Sequence, residues 1–328
     1  MTSGSESVFF GSDDGVVRIL SQAFKVVRSF KAYEAGSITH MKQIQGTALL
    51  VTIAEDLSNE PLLKVWALDK LEKKTGIPRC QSTLSIHNGR KQFPISAFAA
   101  LEDLSQLAVG FANGAVTVVR GDLIHDRGAR QRTVFESEEP ITGIEFREGS
   151  ITTLYIATTG RILTLVISGK GQGQPARSLD ETGCSVGCMA VDRATQDIVV
   201  ARTDAIYNYG LHGRGPPYAY EGEKKMISLF RDYVVIVSPP KGNTIPRGGP
   251  LRAFGVGTDD VFNTSTFTLL NTELRFVAHQ EQLSSPVKAI VSEWGELFVI
   301  TIDGKVRDLS SEYTVKTPAY KFTDSQVS

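Results

Sequence analysis

The chain has 328 residues, 41% of them apolar, with Lys plus Arg 35 and Asp plus Glu 36. That composition is globular and not disordered, and the near-zero net charge offers no overall field to attract nucleic acid or an anionic membrane. The longest apolar run, Tyr233 to Val237, falls far short of the roughly 20 residues that span a bilayer, and Met1 to Ser7 has neither the basic nor the apolar region of a signal peptide.

In chain order, seven segments share one form: an apolar strand, a turn carrying Gly or Asp, and a second apolar strand. The first pairs Val8–Phe10 with Val16–Leu20 around Gly11–Gly15, and the second pairs Leu49–Ala54 with Leu62–Leu68 around an acidic loop. The third pairs Leu107–Phe111 with Val116–Val119 around Asn113-Gly114, and the fourth pairs Leu154–Ala157 with Ile162–Ile167 around Thr159-Gly160. Next come Ile198–Ala201 with Ala205–Tyr209, then Tyr233–Val237 with Leu251–Phe254 around a Pro/Gly loop at Pro239–Pro250. The last pairs Leu297–Thr301 with Val306–Leu309 around Asp303-Gly304. Asn-Gly and Asp-Gly supply the positive φ that tight hairpins require.

A further short strand precedes most hairpins: Ile38–Met41, Ile95–Phe98, Ile141–Ile144, Cys188–Val191, Met226–Leu229 and Val287–Ile290. With an outer strand added, each unit becomes a four-stranded blade, and the turn spacing of roughly 40 to 58 residues suits that size. The pattern predicts an all-β, seven-bladed, WD-repeat-like β-propeller. Six or eight blades remain compatible, because the second and sixth units carry long insertions. Residues 1–7 read as a short or disordered segment, 8–322 as one propeller domain and 323–328 as a tail. No innermost strand is visible ahead of the first hairpin, and Tyr313–Val315 or Tyr320–Phe322 would have to supply a closing strand, since an open blade edge templates aggregation. Ala67–Gly76 has some helical character, but Pro78 argues for a loop tip.

The chain shows little sign of catalytic chemistry. Its five histidines (His40, His87, His125, His212, His279) stand far apart in sequence and form no metal-binding pair. Cys184 and Cys188 would need two distant partners to hold zinc and read as small buried thiols on an inner strand, while Cys80 reads as a candidate exposed thiol. Gly169–Gly173 lacks the helix that a phosphate loop requires. Asp13-Asp14-Gly15 lacks the distal Glu of a calcium loop, and no Gly-x-Ser-x-Gly elbow is present. No catalytic, cofactor or metal residue is expected. Trp66 and Trp294 read as blade-packing residues.

Longer strings point to a family. They include Leu62–Leu68 after the acidic loop Glu55–Pro61, Gly110–Gly114 leading to Arg120–Arg127, and Arg214–Gly222. Arg231–Ser238 and Glu293–Leu297, followed by Asp303–Val306, complete the set. In this order, over nearly the whole chain, they resemble the N-terminal propeller of the vacuolar protein sorting-associated protein 11 family, class C core subunits of the HOPS and CORVET tethering complexes. The resemblance implies a non-catalytic scaffold that helps tether vesicles before fusion, on the cytosolic face of endosome and vacuole or lysosome membranes. Its partners would be other class C core subunits, SNAREs or Rab GTPases. Family members continue into an α-solenoid and a RING finger; this chain ends at Ser328, and the functions of those parts are not carried over.

Three loops are the candidate contact surfaces, since loops on a rigid scaffold often carry recognition. They contribute Glu55, Asp56 and Glu60; Asp122, His125, Asp126, Arg127 and Arg130; and Lys241 and Arg247. Two other readings stand beside this one. A propeller enzyme would gather titratable groups in the central channel, and a cargo- or lipid-binding adaptor would show a clustered basic face.

Overall fold

The computed structural model describes residues 1–56, 58–88, 93–239, 264–309 and 324–326. Strands make seven sheets, each a blade built from one contiguous stretch of chain, and among the described residues there is no helix. The expected seven-bladed β-propeller is what forms.

Blade 1 holds β1 (Thr2–Gly4), β2 (Ser7–Gly11), β3 (Val16–Leu20) and β4 (Val26–Lys31). Blade 2 holds β5 (Ser37–Ile44), β6 (Leu49–Glu55), β7 (Leu62–Leu71) and β8 (Pro78–Ser85). Blade 3 holds β9 (Ile95–Ala100), β10 (Gln106–Phe111), β11 (Val116–Asp122) and β12 (Arg127–Phe135). Blade 4 holds β13 (Ile141–Arg147), β14 (Thr152–Thr158), β15 (Ile162–Ser168) and β16 (Arg177–Asp180). Blade 5 holds β17 (Met189–Val191), β18 (Ile198–Ala201) and β19 (Ala205–Gly210), with two short outer pieces, β20 (Gly213–Arg214) and β21 (Tyr218–Ala219), both paired to β19. Pro216 and Pro217 lie between those pieces, and proline has no N–H to give to a ladder. Blade 6 holds β22 (Met226–Phe230), β23 (Tyr233–Ser238), β24 (Ser265–Asn271) and β25 (Phe276–Leu283). Blade 7 holds β26 (Val287–Glu293), β27 (Glu296–Thr301), β28 (Lys305–Leu309) and β29 (Asp324–Gln326).

The burial pattern explains the sequence pattern. Second strands are sandwiched between neighbouring blades, so Ile198–Ala201 and Leu107–Phe111 are buried at every position and read as unbroken apolar runs. Outer strands face water, as β4 and β12 do, and carry charge instead. Apolar clusters fill the junctions between blades, one of them spanning both sides of blade 5. Phe30 meets Trp66 across blades 1 and 2, and Val235 joins Leu297 across blades 6 and 7. The ring closes where Val8, Leu20 and Phe24 of blade 1 pack on Phe298, Ile300 and Val306 of blade 7. Trp66 and Trp294 both serve this blade packing.

Three expectations need correction. The innermost strand of blade 1 is present: Thr2–Gly4 pairs antiparallel with β2, although its polar residues show no strand pattern. In blade 6 the partner of β23 is Ser265–Asn271, not Leu251–Phe254, which lies outside the described residues. Tyr313–Val315 and Tyr320–Phe322 also lie outside them, and the strand paired to β28 is Asp324–Gln326. Residues 72–77 form the loop tip that Pro78 suggested.

Candidate functional site

In an antiparallel four-stranded blade, the first and third turns lie at one end of the strands, while the second turn and the link to the next blade lie at the other. These ends define a lower and an upper face of the ring. The acidic segment at 55–60 joins β6 to β7 and belongs to the upper face. The charged segment at 122–127 joins β11 to β12 and belongs to the lower face. Lys241 and Arg247 lie outside the described residues. The candidate contact residues therefore do not form one site.

They also differ in what they are free to do. The carboxylate of Glu55 accepts from Thr39 Oγ1 at 2.5 Å and from the backbone N–H of Ile95 at 2.8 Å, tying blade 2 to blade 3. Asp56 accepts from Ser58 N–H and Asn59 Nδ2 and shapes its own loop. Glu60 pairs with His87 Nδ1 at 2.8 Å, both side chains about half exposed. On the lower face, Asp122 pairs with His125 Nδ1 at 2.8 Å, and that hydrogen bond holds its carboxyl below the usual carboxylate range. Asp126 adopts φ 54° and accepts from Ser82 Oγ at 3.1 Å, which pins the turn to blade 2. Arg127 and Arg130 stand exposed on β12.

The cysteines are structural. Cys184 and Cys188 are buried, but they sit in the connection before β17 and not on an inner strand. Burial raises both thiols, and Cys188 is pushed up to about 12; its Sγ donates to Lys224 O at 3.2 Å. A thiol held protonated in this way is a poor nucleophile. Cys80 is half-buried and donates to Ser82 O. Buried Lys224 donates to the carbonyls of Arg202, Thr203 and Tyr220, an arrangement that satisfies the ammonium without a carboxylate. Among the described residues no three His, Cys, Asp or Glu side chains stand close enough together to hold a metal ion.

One group escaped the sequence reading. Glu145 lies on inner strand β13, half-buried at the channel wall, between buried Ile144 and Phe146. Burial pushes its carboxyl up to about 7, with Glu102 acting in the same direction and Lys42 and Arg193 against it. It borders a lower-face cavity of about 860 Å³ at the channel mouth between blades 5 and 6. No local motif marks this position, since ring closure alone brings it to the channel.

A family model described as PEP5/VPS11 N-terminal matches residues 1–310. The chain belongs to this family. It is 30% identical over 316 residues to the vacuolar protein sorting-associated protein 11 homolog of Mus musculus, covering 95% of this chain and 32% of that protein. The Homo sapiens homolog matches to the same extent, and the Dictyostelium discoideum homolog is 29% identical over 339 residues, covering 95% of this chain and 34% of its own length. This PEP5/VPS11 N-terminal chain thus spans about a third of the relatives it matches. The solved structure of the computationally designed Ika8 protein superposes with TM-score 0.56 at 15% identity, covering 94% of this chain and 81% of that one; at that identity the likeness speaks for the fold alone.

Proposed function

We propose that this PEP5/VPS11 N-terminal ring is a non-catalytic interaction and scaffold domain of an endolysosomal membrane-tethering complex. It takes part in vacuolar protein sorting at the cytosolic face of endosomes and vacuoles or lysosomes. The observation that carries this reading is the family match over residues 1–310, which takes in all of the first six blades and β26 to β28 of the seventh. The fold is consistent with it: a closed ring leaves its turns free while the blades hold them in fixed relation. Among the described residues no helix is long and apolar enough to cross a membrane, so any attachment by helix must come through a partner or through residues beyond those described.

The lower face is the stronger docking surface of the two. On the upper face Glu55 is consumed in joining blades and Asp56 in shaping its loop. On the lower side the Asp122–Arg130 segment presents exposed His125, Arg127 and Arg130 on a turn that Asp126 anchors. A class C core subunit is the expected partner, with SNAREs and Rab GTPases as the next candidates.

The test is capture of purified class C core subunits, SNAREs and endolysosomal Rab GTPases by the immobilised ring, with liposomes in parallel. Saturable binding of one protein partner, lost when 122–127 is shortened and kept when 56–60 is shortened, is the expected result. Binding of none of the proteins, or of liposomes alone, would sink the proposal.

A further inference from the structure

The lower-face cavity has a chemistry of its own. Five carboxylates (Glu145, Asp192, Asp197, Asp232, Glu273) border it against two guanidiniums, Arg193 and Arg231. Several of these are already engaged. Asp197 pairs with Arg147, Asp192 accepts from Ala194 N–H at 2.8 Å, and Arg231 donates to Gly295 O at 2.7 Å. Among the described residues, Glu145 accepts no hydrogen bond, and Lys42 and Arg193 reach it through charge alone. Lys42 is itself held by Ala100 O at 2.6 Å and Glu102 at 3.4 Å. A carboxyl partly withdrawn from water without a partner costs stability unless something neutralises it. The remaining wall is mixed, with Met189, Leu229 and Phe230 set among polar side chains such as Asn208, Ser228 and Ser292.

Apolar side chains sharing a cavity with an unpaired carboxylate suit the side chains of arginine and lysine, whose methylene stems pack on apolar surface while the charged head seeks an anion. We propose that this cavity binds an arginine or lysine side chain on an extended segment of a partner protein, with Glu145 as the inner anion and Asp232 and Glu273 at the rim. A cavity of about 860 Å³ exceeds one such side chain and leaves room for the backbone that carries it. A bound cation would also return the Glu145 carboxyl toward its ordinary range. The inference rests on the ring being an interaction module and supplies the chemistry of one contact.

Binding of a fluorescent tetra-arginine peptide to the purified chain, read by anisotropy at about pH 8 and physiological salt, tests it. Saturable binding is expected, weakened about tenfold by Glu145→Gln, the loss of one charge-assisted hydrogen bond. Asp232→Asn, in an exposed turn, should weaken it by a smaller factor, and Glu138→Gln on the upper face should leave it unchanged. Spermine carries charge without a peptide backbone and should compete poorly. Equal affinity in Glu145→Gln and the parent chain would overturn the site, as would equal loss in Glu138→Gln. Should Glu145→Gln fail to fold, unchanged binding in Asp232→Asn would overturn it as well. Displacement by spermine as effective as by unlabelled peptide would overturn the peptide assignment. Peptide binding without capture of any tethering subunit would leave the cavity standing and remove the complex reading; the reverse pattern would do the opposite.

Discussion

Glu145 and Thr52 show what single side chains contribute to this ring. The Glu145 carboxyl sits at about 7 against an ordinary 4.5, so the folded state holds its proton longer than the unfolded chain. Below the unfolded value both states are protonated and the residue costs nothing. As pH rises toward 7 the unfolded chain has already released its proton, so stability falls, and the loss is complete above 7. Glu145→Gln should therefore raise stability by on the order of 1–3 kcal/mol at about pH 8 and leave it nearly unchanged at about pH 4. Denaturant unfolding at both values checks this, and equal effects at the two would contradict the assignment. A carboxylate kept at a cost to stability is what a binding role would explain. Thr52 has the opposite character. Its buried Oγ1 accepts from Trp66 Nε1 at 3.0 Å and lies 2.8 Å from Tyr33 Oη, linking blades 1 and 2. Thr52→Val leaves the indole N–H without its acceptor and should cost about 1–3 kcal/mol, measured by the same unfolding assay.

Residue roles were the least legible part of the sequence. Glu55 reads as a loop contact because it opens an acidic run, yet its hydrogen bonds go to Thr39 and to Ile95 of the next blade. Glu145 falls one residue past the strand read at Ile141–Ile144 and carries no motif of its own. Both roles depend on neighbours far away in sequence — Thr39 and Ile95 for Glu55, Lys42 and Arg193 for Glu145 — which no local pattern encodes.

Hairpins were legible because their turns obey local rules. Gly114 (φ 85°) and Gly304 (φ 81°) occupy matching turns in blades 3 and 7, at the sites that Asn-Gly and Asp-Gly predict. Their surroundings differ. A Cβ on Gly114 would lie 2.0 Å from Ser137 O, whereas one on Gly304 would meet nothing within 4 Å. Gly304→Ala should cost only the backbone strain of about 1–2 kcal/mol, while Gly114→Ala must also displace the link into blade 4 and should cost several-fold more. Similar melting-temperature losses in the two would show that the link yields freely. The strands misread from sequence fail for physical reasons. Thr2–Gly4 pairs through its backbone, with no apolar alternation to reveal it. In blade 6, Leu251–Phe254 is the first apolar stretch after the Pro/Gly loop, but β23 needs six partners and finds them in the fully buried Ser265–Asn271.

Over the whole molecule, the seven-bladed ring was legible because seven like units must close to bury their edges. How the ends meet was not. Closure rests on side-chain packing between blades 7 and 1, where Phe298 lies edge-on to Phe24 with ring centroids 4.8 Å apart and to Trp294 at 5.7 Å. Phe298→Ala should cost about 3–5 kcal/mol. Because that junction joins the two ends of the chain, the loss should appear with earlier exchange of β1 and β26 than of β13.

The central claim is that a rigid ring meets a tethering partner through its lower face. Hydrogen–deuterium exchange of the chain alone and bound to class C core subunits tests it directly. The account predicts protection concentrated in the lower-face turns at 122–127, 192–197 and 231–232, with blade interiors unchanged. Protection confined to the upper-face turns, or none when the subunits are saturating, would contradict it.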